Sequence, residues 1–253
     1  MPTADGLHYF ANQVENTARL PVILIHGAGG MHLYWPPQIR RLPGQRMYAL
    51  DLPGHGKSAG VGRHLIDDYT KDILEFMKVV KLGAAIIIGH SMGSAIGLTL
   101  AIRAPKRVLG LGLIGGGAKL RVAPAILEAA ANPNTFYAAV DLVTQYSYGP
   151  KADPRLKEQA AQRMAETRPA VLYGDLLACN SFDVMDQLGR IKTPTLIVCG
   201  AQDRMTPLKF SEYLRAEITG AHLETLPDAG HMAMLEQPEK VADSLDRFLN
   251  TFT

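Results

Sequence analysis

Five short runs of aliphatic residues recur along the chain, and each ends in glycine. Their apolar residues are continuous rather than alternating with polar ones, which indicates strands that are buried on both faces, as in a parallel sheet covered by helices. The segments between them have the length of the helices that join parallel strands. The sequence therefore predicts an α/β fold with a mostly parallel central sheet flanked by helices. The runs are VILIHG (residues 22–27), MYALDLPG (47–54), AAIIIGHSMG (84–93), VLGLGLIGGG (108–117) and TLIVCG (195–200).

Three of the connecting segments carry clear helix patterns. Residues 67–81 repeat apolar positions at helical spacing, and residues 91–104 are small and aliphatic up to a proline. Residues 238–249 begin with proline, which fits the first turn of a helix. The opening segment, residues 6–14, is predicted to be an antiparallel hairpin strand.

One stretch, residues 118–186, interrupts the alternation of strand and helix. It has no glycine-closed run, its apolar residues recur at helical spacing, and prolines at 124, 133, 150, 154 and 169 divide it into short helices. We therefore predict a helical insertion after the sixth strand, with residues 1–117 and 187–253 forming the core. Some of its apolar side chains could line a pocket, although such side chains more often pack inside a helical layer. They are Leu127, Phe136, Tyr137, Val140, Tyr146, Met164 and Leu176.

Composition excludes several classes of partner. The chain has 26 basic and 24 acidic residues, a formal net charge of +2, which gives no basis for binding nucleic acid or an anionic membrane surface. It has neither an apolar run of about 20 residues nor a secretory start, so a cytoplasmic location without membrane contact is predicted. Cys179 and Cys199 lack metal-ligand spacing and are interpreted as reduced core residues, with a disulfide left open.

The segment Gly89-His90-Ser91-Met92-Gly93 matches the pattern G-x-S-x-G of a nucleophilic serine. It lies between a predicted strand and a predicted helix, where a sharp turn projects the hydroxyl and the helix N-terminus favours negative charge. The plainer alternative is a tight structural turn that happens to contain serine. The context favours Ser91 as a nucleophile.

A serine hydroxyl needs a histidine to accept its proton, and in strand–turn–helix enzymes of this kind the chain order is Ser, acid, His. Only His222 and His231 follow Ser91. His231 comes after the last predicted strand and before the final helix, whereas His222 begins that strand at the wrong end. His231 is therefore the predicted general base.

The acid is predicted to be Asp203, because it follows the run TLIVCG and so lies at the carboxyl end of a strand, where catalytic groups of open α/β sheets collect. Asp228 is more typical of a turn. The alternatives that remain open are Asp183, Asp186 and Asp228.

The sequence His-Gly-Ala-Gly-Gly at residues 26–30 ends the first clear parallel strand. Its small residues would let backbone N–H groups face a reacting carbonyl. We assign the oxyanion donors to the N–H groups of Ala28 and Met92 and interpret His26 as structural. This chemistry requires no metal and no cofactor.

Taken together, these motifs resemble the α/β-hydrolase superfamily. The matching segments are HGAGG (26–30), DLPGHGKS (51–58), GHSMG (89–93), GAQDRMTP (200–207) and DAGHMAMLEQPE (228–239). The resemblance implies an α/β-hydrolase fold, structural roles for Asp51 and His55, and a helical cap over the active site at residues 118–186. Serine at the elbow argues against the dehalogenases and epoxide hydrolases of that superfamily, which use aspartate there.

The resemblance implies hydrolysis of carboxylic esters, with a small-molecule ester or acyl compound as substrate. The apolar side chains of the insertion predict short to medium apolar acyl groups. The same residues would also serve thioester hydrolysis, acyl transfer, perhydrolysis or carbon–carbon bond cleavage. Carbon–carbon hydrolases commonly carry tryptophan directly after the catalytic histidine, where this chain has Met232. A non-catalytic ligand receptor on the same fold remains an alternative. The sequence does not predict the oligomeric state.

Overall fold

A computed structural model describes residues 2–12 and 19–252. Its centre is an eight-stranded sheet in the order β1-β2-β4-β3-β5-β6-β7-β8. Pairing is antiparallel between β1 and β2 and between β2 and β4, and parallel between all other neighbours. The strands are β1 (Thr3–Ala4), β2 (Leu7–Asn12), β3 (Pro21–Ile25), β4 (Arg46–Leu50), β5 (Ala85–His90), β6 (Val108–Ile114), β7 (Thr195–Gly200) and β8 (His222–Leu226).

Helices connect the strands and cover the sheet on both faces. The described helices are α1 (Pro37–Arg40), α2 (Ile66–Val79), α3 (Met92–Arg103), α4 (Pro124–Ala131), α5 (Phe136–Ser147), α6 (Pro154–Ala165), α7 (Pro169–Ser181), α8 (Leu208–Glu217), α9 (Ala233–Glu236) and α10 (Pro238–Leu249). The predicted fold class is confirmed, and each glycine-closed run contains one of the parallel strands. The predicted opening strand is observed as β2, and its last two predicted positions, 13 and 14, lie outside the described residues.

Burial on both faces explains why the strand sequences are continuously apolar. In β5, Ile87 packs into a core cluster with α2 and α3, while Ile86 and Ile88 pack into a second cluster with α1 and α10. All three side chains are at most 1% exposed. Because successive side chains of a strand point to opposite faces, a strand between two helical layers needs an apolar residue at every position. Cys179 and Cys199 are buried and free.

Four helices, α4 to α7, lie between β6 and β7, and we refer to them as the inserted helices. Proline occupies the first position of α4, α6 and α7, where its missing N–H costs no intrahelical hydrogen bond. Their apolar side chains form a cluster of their own, which includes Phe136, Val140, Leu172 and Leu176. The insertion therefore has its own apolar layer above the carboxyl ends of the strands.

Candidate active site

Ser91 lies at the junction of β5 and α3 in a strained backbone conformation. Its φ is +52°, in the left-handed region that non-glycine residues rarely adopt. The chain approaches itself closely on either side of it: a Cβ at Gly89 would lie 2.1 Å from the Gly93 carbonyl oxygen, and a Cβ at Gly93 would lie 2.1 Å from the Ile25 carbonyl oxygen. The two glycines of the motif are therefore required by backbone packing, and they hold Ser91 at the start of α3.

His231 and Asp203 are joined by a hydrogen bond at the carboxyl ends of β7 and β8. His231 Nδ1 lies 2.8 Å from Asp203 Oδ2, and both side chains are buried. The other carboxylate oxygen, Asp203 Oδ1, accepts the N–H groups of Met205 and Thr206, each at 2.8 Å. Burial on its own would raise the pKa of the Asp203 carboxyl, but His231 and the Thr206 hydrogen bonds lower it below its ordinary value.

The Thr206 hydroxyl lies at the centre of this group. Its oxygen is 2.8 Å from Asp203 Oδ2, 3.1 Å from His231 Nδ1 and 2.9 Å from the Gly115 carbonyl oxygen. Because Nδ1 faces a carboxylate, the proton of neutral His231 belongs on Nδ1, which leaves Nε2 free to accept a proton. Sequence reasoning missed Thr206, although an aspartate three residues before it in a turn is the usual signal for such backbone and hydroxyl contacts.

His90 supports His231 from below. Its Nε2 donates to the His231 carbonyl oxygen at 3.0 Å, and the two ring centroids are 4.8 Å apart. Burial, followed by the proximity of His231, lowers the pKa of His90 to about 3, so its ring is neutral at physiological pH. The neutral His90 ring therefore positions the backbone of His231.

The loop after β3 is a tight turn stabilised by hydrogen bonds. The Gly30 N–H donates to the Gly27 carbonyl oxygen at 3.1 Å, and Gly29 has a φ of +62°. His26 Nδ1 donates to the same Gly27 oxygen at 2.8 Å, and His26 Nε2 accepts the Leu52 N–H at 3.1 Å. Burial, together with nearby His55, lowers the pKa of His26 to about 4. His26 is thus a neutral ring that joins two loops, which agrees with the structural role expected for it.

The two N–H groups assigned to the oxyanion remain free for a ligand. Across residues 2–12 and 19–252, neither the Ala28 nor the Met92 N–H donates to a backbone acceptor outside helices and strands. Ala28 follows Gly27, where an added Cβ would lie only 3.1 Å from Ser91 Cβ. Met92 is the first residue of α3, where N–H groups have no intrahelical acceptor. Both residues are chain neighbours of atoms in the elbow region, and the role of their N–H groups as oxyanion donors stays a prediction.

Ser91, His231 and Ala28 all line one cavity of about 280 Å³ beneath the inserted helices. Of the seven apolar side chains considered for its wall, Tyr146, Met164 and Leu176 line it. The other four do not. Phe136 and Val140 are buried within the inserted layer, Leu127 packs partly buried against that layer, and Tyr137 is 69% exposed.

The competing acids and the second histidine lie away from this cavity. Asp228 is exposed and pairs with Lys151 at 2.8 Å, and Asp183 pairs with Lys119. His222 is exposed at the start of β8, the end of the strand opposite to His231. Asp186 lies in a short helical turn at Met185–Arg190.

One group in the described part of the chain has the side chains of a metal site: His8, His32 and Asp51, all buried. Both oxygens of Asp51 are already engaged, because each accepts a histidine Nδ1–H at 2.7 or 2.9 Å and a backbone N–H, from His32 or Lys57. These bonds hold the pKa of Asp51 well below its usual range in spite of burial. A carboxylate satisfied by four donors fits a structural hydrogen-bond network, which is the role expected for Asp51, and does not fit a metal ligand.

The profile of the Alpha/beta hydrolase family matches residues 22–244. A dihydrolipoyllysine-residue acetyltransferase component of an acetoin cleaving system from Pseudomonas putida is 31% identical over 90% of this chain, which spans 63% of that protein. A putative carbamate hydrolase, RutD, from Caulobacter sp. (strain K31) is 29% identical over 98% of this chain and 97% of its own length. The solved structure of a thermophilic esterase superposes with a TM-score of 0.82 at 31% identity, over 97% of this chain and 98% of that chain. No helix in the described ranges is long and apolar enough to cross a membrane.

Proposed function

The chain belongs to the Alpha/beta hydrolase family, and we propose that it is a serine hydrolase that cleaves carboxylic esters of short to medium apolar acyl groups. One observation carries the proposal. His231, which is hydrogen-bonded to buried Asp203, lines the same cavity as Ser91 and Ala28. These are the groups that acyl transfer through serine requires.

In the proposed reaction Ser91 Oγ attacks the ester carbonyl carbon while His231 Nε2 takes the hydroxyl proton. The negative charge that develops on the carbonyl oxygen is stabilised by the Ala28 and Met92 N–H groups, and Asp203 stabilises the imidazolium. The C–O bond to the alcohol then breaks, and the alcohol leaves with the proton from His231. Water, activated by the same histidine, hydrolyses the acyl-enzyme and regenerates Ser91. No step requires a metal or a cofactor.

The cavity supports a substrate of modest size with an apolar acyl group. Its volume of about 280 Å³ is at the small end of ligand sites, and half of its lining residues are aliphatic residues or methionine. Residues 118–186 would act as a cap over the core formed by residues 1–117 and 187–253. Because Tyr146, Met164 and Leu176 come from that segment, the proposed cap would determine which acyl groups reach Ser91.

Carbamate hydrolysis is a second candidate, favoured by the full-length likeness to the putative carbamate hydrolase. A carbamate presents the same carbonyl to the serine and differs in the nitrogen attached to it. The proposed groups would carry out either reaction. The difference between them would come from how the cavity holds that nitrogen.

The test is a series of p-nitrophenyl esters of increasing acyl length, with a p-nitrophenyl carbamate of matched size, measured on wild type and Ser91→Ala. We expect hydrolysis that is fastest for short to medium acyl chains. The Ser91→Ala variant is expected to lose at least about 10³-fold in kcat, because the nucleophile acts as a unit with its base.

A serine-directed phosphonate probe distinguishes the outcomes. Labelling of wild type at Ser91 without ester turnover would contradict the ester assignment and direct attention to carbamates or thioesters. If wild type is not labelled at all, Ser91 is not the nucleophile, and a binding role on this fold becomes the better interpretation. Mass spectrometry of the labelled peptide identifies the modified residue.

A further inference from the structure

Asp175, on α7 of the proposed cap, is a fully buried carboxylate that contacts the core. Its Oδ2 accepts the N–H of Gly29 at 2.8 Å and lies 2.7 Å from His55 Nε2. Its Oδ1 accepts the hydroxyl of Tyr69. A cap residue therefore receives hydrogen bonds from three separate parts of the core, and one of them is the loop that carries Ala28.

The charge on this group follows from its partners. His55 Nε2 faces the Asp175 carboxylate, and its Nδ1 lies 3.1 Å from the Pro53 carbonyl oxygen. Both contacts are to oxygen atoms that can accept a hydrogen bond, which favours a His55 ring protonated on both nitrogens. Burial would lower the pKa of His55, but Asp175, the Pro53 carbonyl and Asp51 together outweigh burial and raise it. Asp175 and His55 thus form a buried ion pair.

Thr167, from the same segment, contacts the other side of Gly29. Its hydroxyl donates to the Gly29 carbonyl oxygen at 3.3 Å. The proposed cap also packs directly on this residue, since a Cβ at Gly29 would lie 2.9 Å from Leu172 Cδ1. Both polar groups of Gly29 are therefore bound by side chains of the segment that covers the site.

The geometry points to Asp175 as a positioning residue that sets the orientation of the oxyanion loop. The Gly29 N–H belongs to the peptide that directly follows Ala28, so binding it fixes the torsion on the C-terminal side of Ala28. The hydrogen bond from the Gly30 N–H to the Gly27 carbonyl oxygen fixes the torsion on the N-terminal side of Ala28. The inference rests on the proposed function, because it concerns the Ala28 N–H as an oxyanion donor.

The variants Asp175→Ala and Asp175→Asn separate the hydrogen bond from the charge. Both remove the negative charge, but asparagine keeps an oxygen that can accept the Gly29 N–H. Since a displacement of about 1 Å in a catalytic group can cost about 10²-fold, we expect Asp175→Ala to lower kcat by about 10-fold to 100-fold with KM changed less than about threefold. Asp175→Asn is expected to recover most of that loss.

A trifluoromethyl ketone provides a readout that a general loss of stability would not move. It forms a tetrahedral adduct with an active serine, and the oxyanion of that adduct occupies the same site as in the reaction. We expect Asp175→Ala to weaken the ketone by the same factor as it lowers kcat/KM. Tyr69→Phe is the matched control, because it removes a donor to Asp175 Oδ1 and leaves the Gly29 contact on Oδ2 in place. Its kcat and ketone affinity are expected to stay within about threefold of wild type.

The outcomes separate the two proposals. If wild type and Asp175→Ala bind the ketone equally well, the positioning role of Asp175 is contradicted, while the proposed function still stands. Equal losses in Asp175→Ala, Asp175→Asn and Tyr69→Phe that follow their thermal stabilities also contradict it. A wild type that neither forms the adduct nor turns over an ester contradicts the proposed function and, with it, this role.

Discussion

At the scale of single residues, the proposed role of Asp203 as the acid depends on local hydrogen bonding. Asp203 has both carboxylate oxygens engaged by Met205, Thr206 and His231. Asp228, only three residues before His231 in sequence, instead extends into solvent and pairs with Lys151. Proximity along the chain is therefore a poor guide to which carboxylate can orient the imidazole.

Exchanging each aspartate for asparagine tests this assignment. An asparagine at 203 can present its NH₂ group to Nδ1 and stabilise the wrong tautomer of His231, so we expect kcat for a p-nitrophenyl ester to fall by about 10⁴-fold. Asp228→Asn removes only an exposed ion pair, and kcat should stay within about twofold. A larger loss at 228 than at 203 would reverse the assignment of the acid.

Sequence reasoning reached some residues of the candidate site and missed others for a physical reason. Ser91 and His231 were accessible because the elbow motif and the order along the chain constrain them locally. Asp175 was not, because its contact with Gly29 spans 146 positions and depends on how the inserted helices settle on the core. An aspartate within a mostly apolar helical segment is the one signal in the sequence that could have drawn attention to it.

At the scale of secondary-structure elements, the junction of β5 and α3 depends on close backbone contact. A Cβ at Gly89 would lie 2.1 Å from the carbonyl oxygen of Gly93 and 2.5 Å from the Ser94 nitrogen. Because these are backbone atoms, no side-chain rotation can relieve the overlap. The strand and the helix would have to move apart, and Ser91 would move with them.

Gly89→Ala should therefore lower both stability and activity. We expect the free energy of unfolding in urea to fall by about 3 kcal/mol, the upper end for overpacking, and ester hydrolysis to fall with it. Gly83→Ala is the matched control, since an added Cβ there has nothing within 4 Å. That control should be neutral or more stable by about 0.5 kcal/mol. If Gly89→Ala and Gly83→Ala lose similar amounts of stability, the close backbone contact at Gly89 does not determine the stability of the β5–α3 junction.

The sequence predicted the elements better than their contacts. Glycine-closed apolar runs located five of the six parallel strands in the described part of the chain, because a parallel strand buried on both faces leaves no position for a polar residue. Prolines located the starts of three inserted helices because the first turn alone tolerates a missing N–H. The cavity wall was less predictable: Tyr137 and Tyr146 lie on the same helix, α5, yet Tyr137 faces solvent and Tyr146 faces the cavity. Helical spacing determines which residues share one face of a helix. It does not determine whether that face packs against the core, lines the cavity or contacts solvent.

At the scale of the whole molecule, buried histidines link stability to pH. His26 and His90 are neutral and buried, with pKa values lowered by burial to about 4 and about 3. His55, close to His26 and paired with Asp175, has a raised pKa and acts in the opposite direction. Its contribution is complete below the unfolded value of about 6.5 and is lost as pH rises through the folded pKa. The pH dependence of the free energy of unfolding combines these opposing contributions, so each histidine must be tested separately.

His26→Gln isolates one of them, since glutamine can both donate and accept but does not titrate. The folded pKa of His26 lies below the unfolded value, so the unfolded chain binds more protons between the two, and the stability is complete above about pH 6.5 and lost as pH falls. Because pH 5 lies about 1.5 pH units below the unfolded pKa of about 6.5, the free energy of unfolding should be lower there by about 2 kcal/mol. We expect urea unfolding to show that His26→Gln loses about 2 kcal/mol less than wild type between pH 7.5 and pH 5. His222→Gln, at an exposed histidine, should lose as much as wild type. Parallel pH profiles for wild type and His26→Gln would mean that His26 takes up its proton in the folded protein as readily as in the unfolded chain.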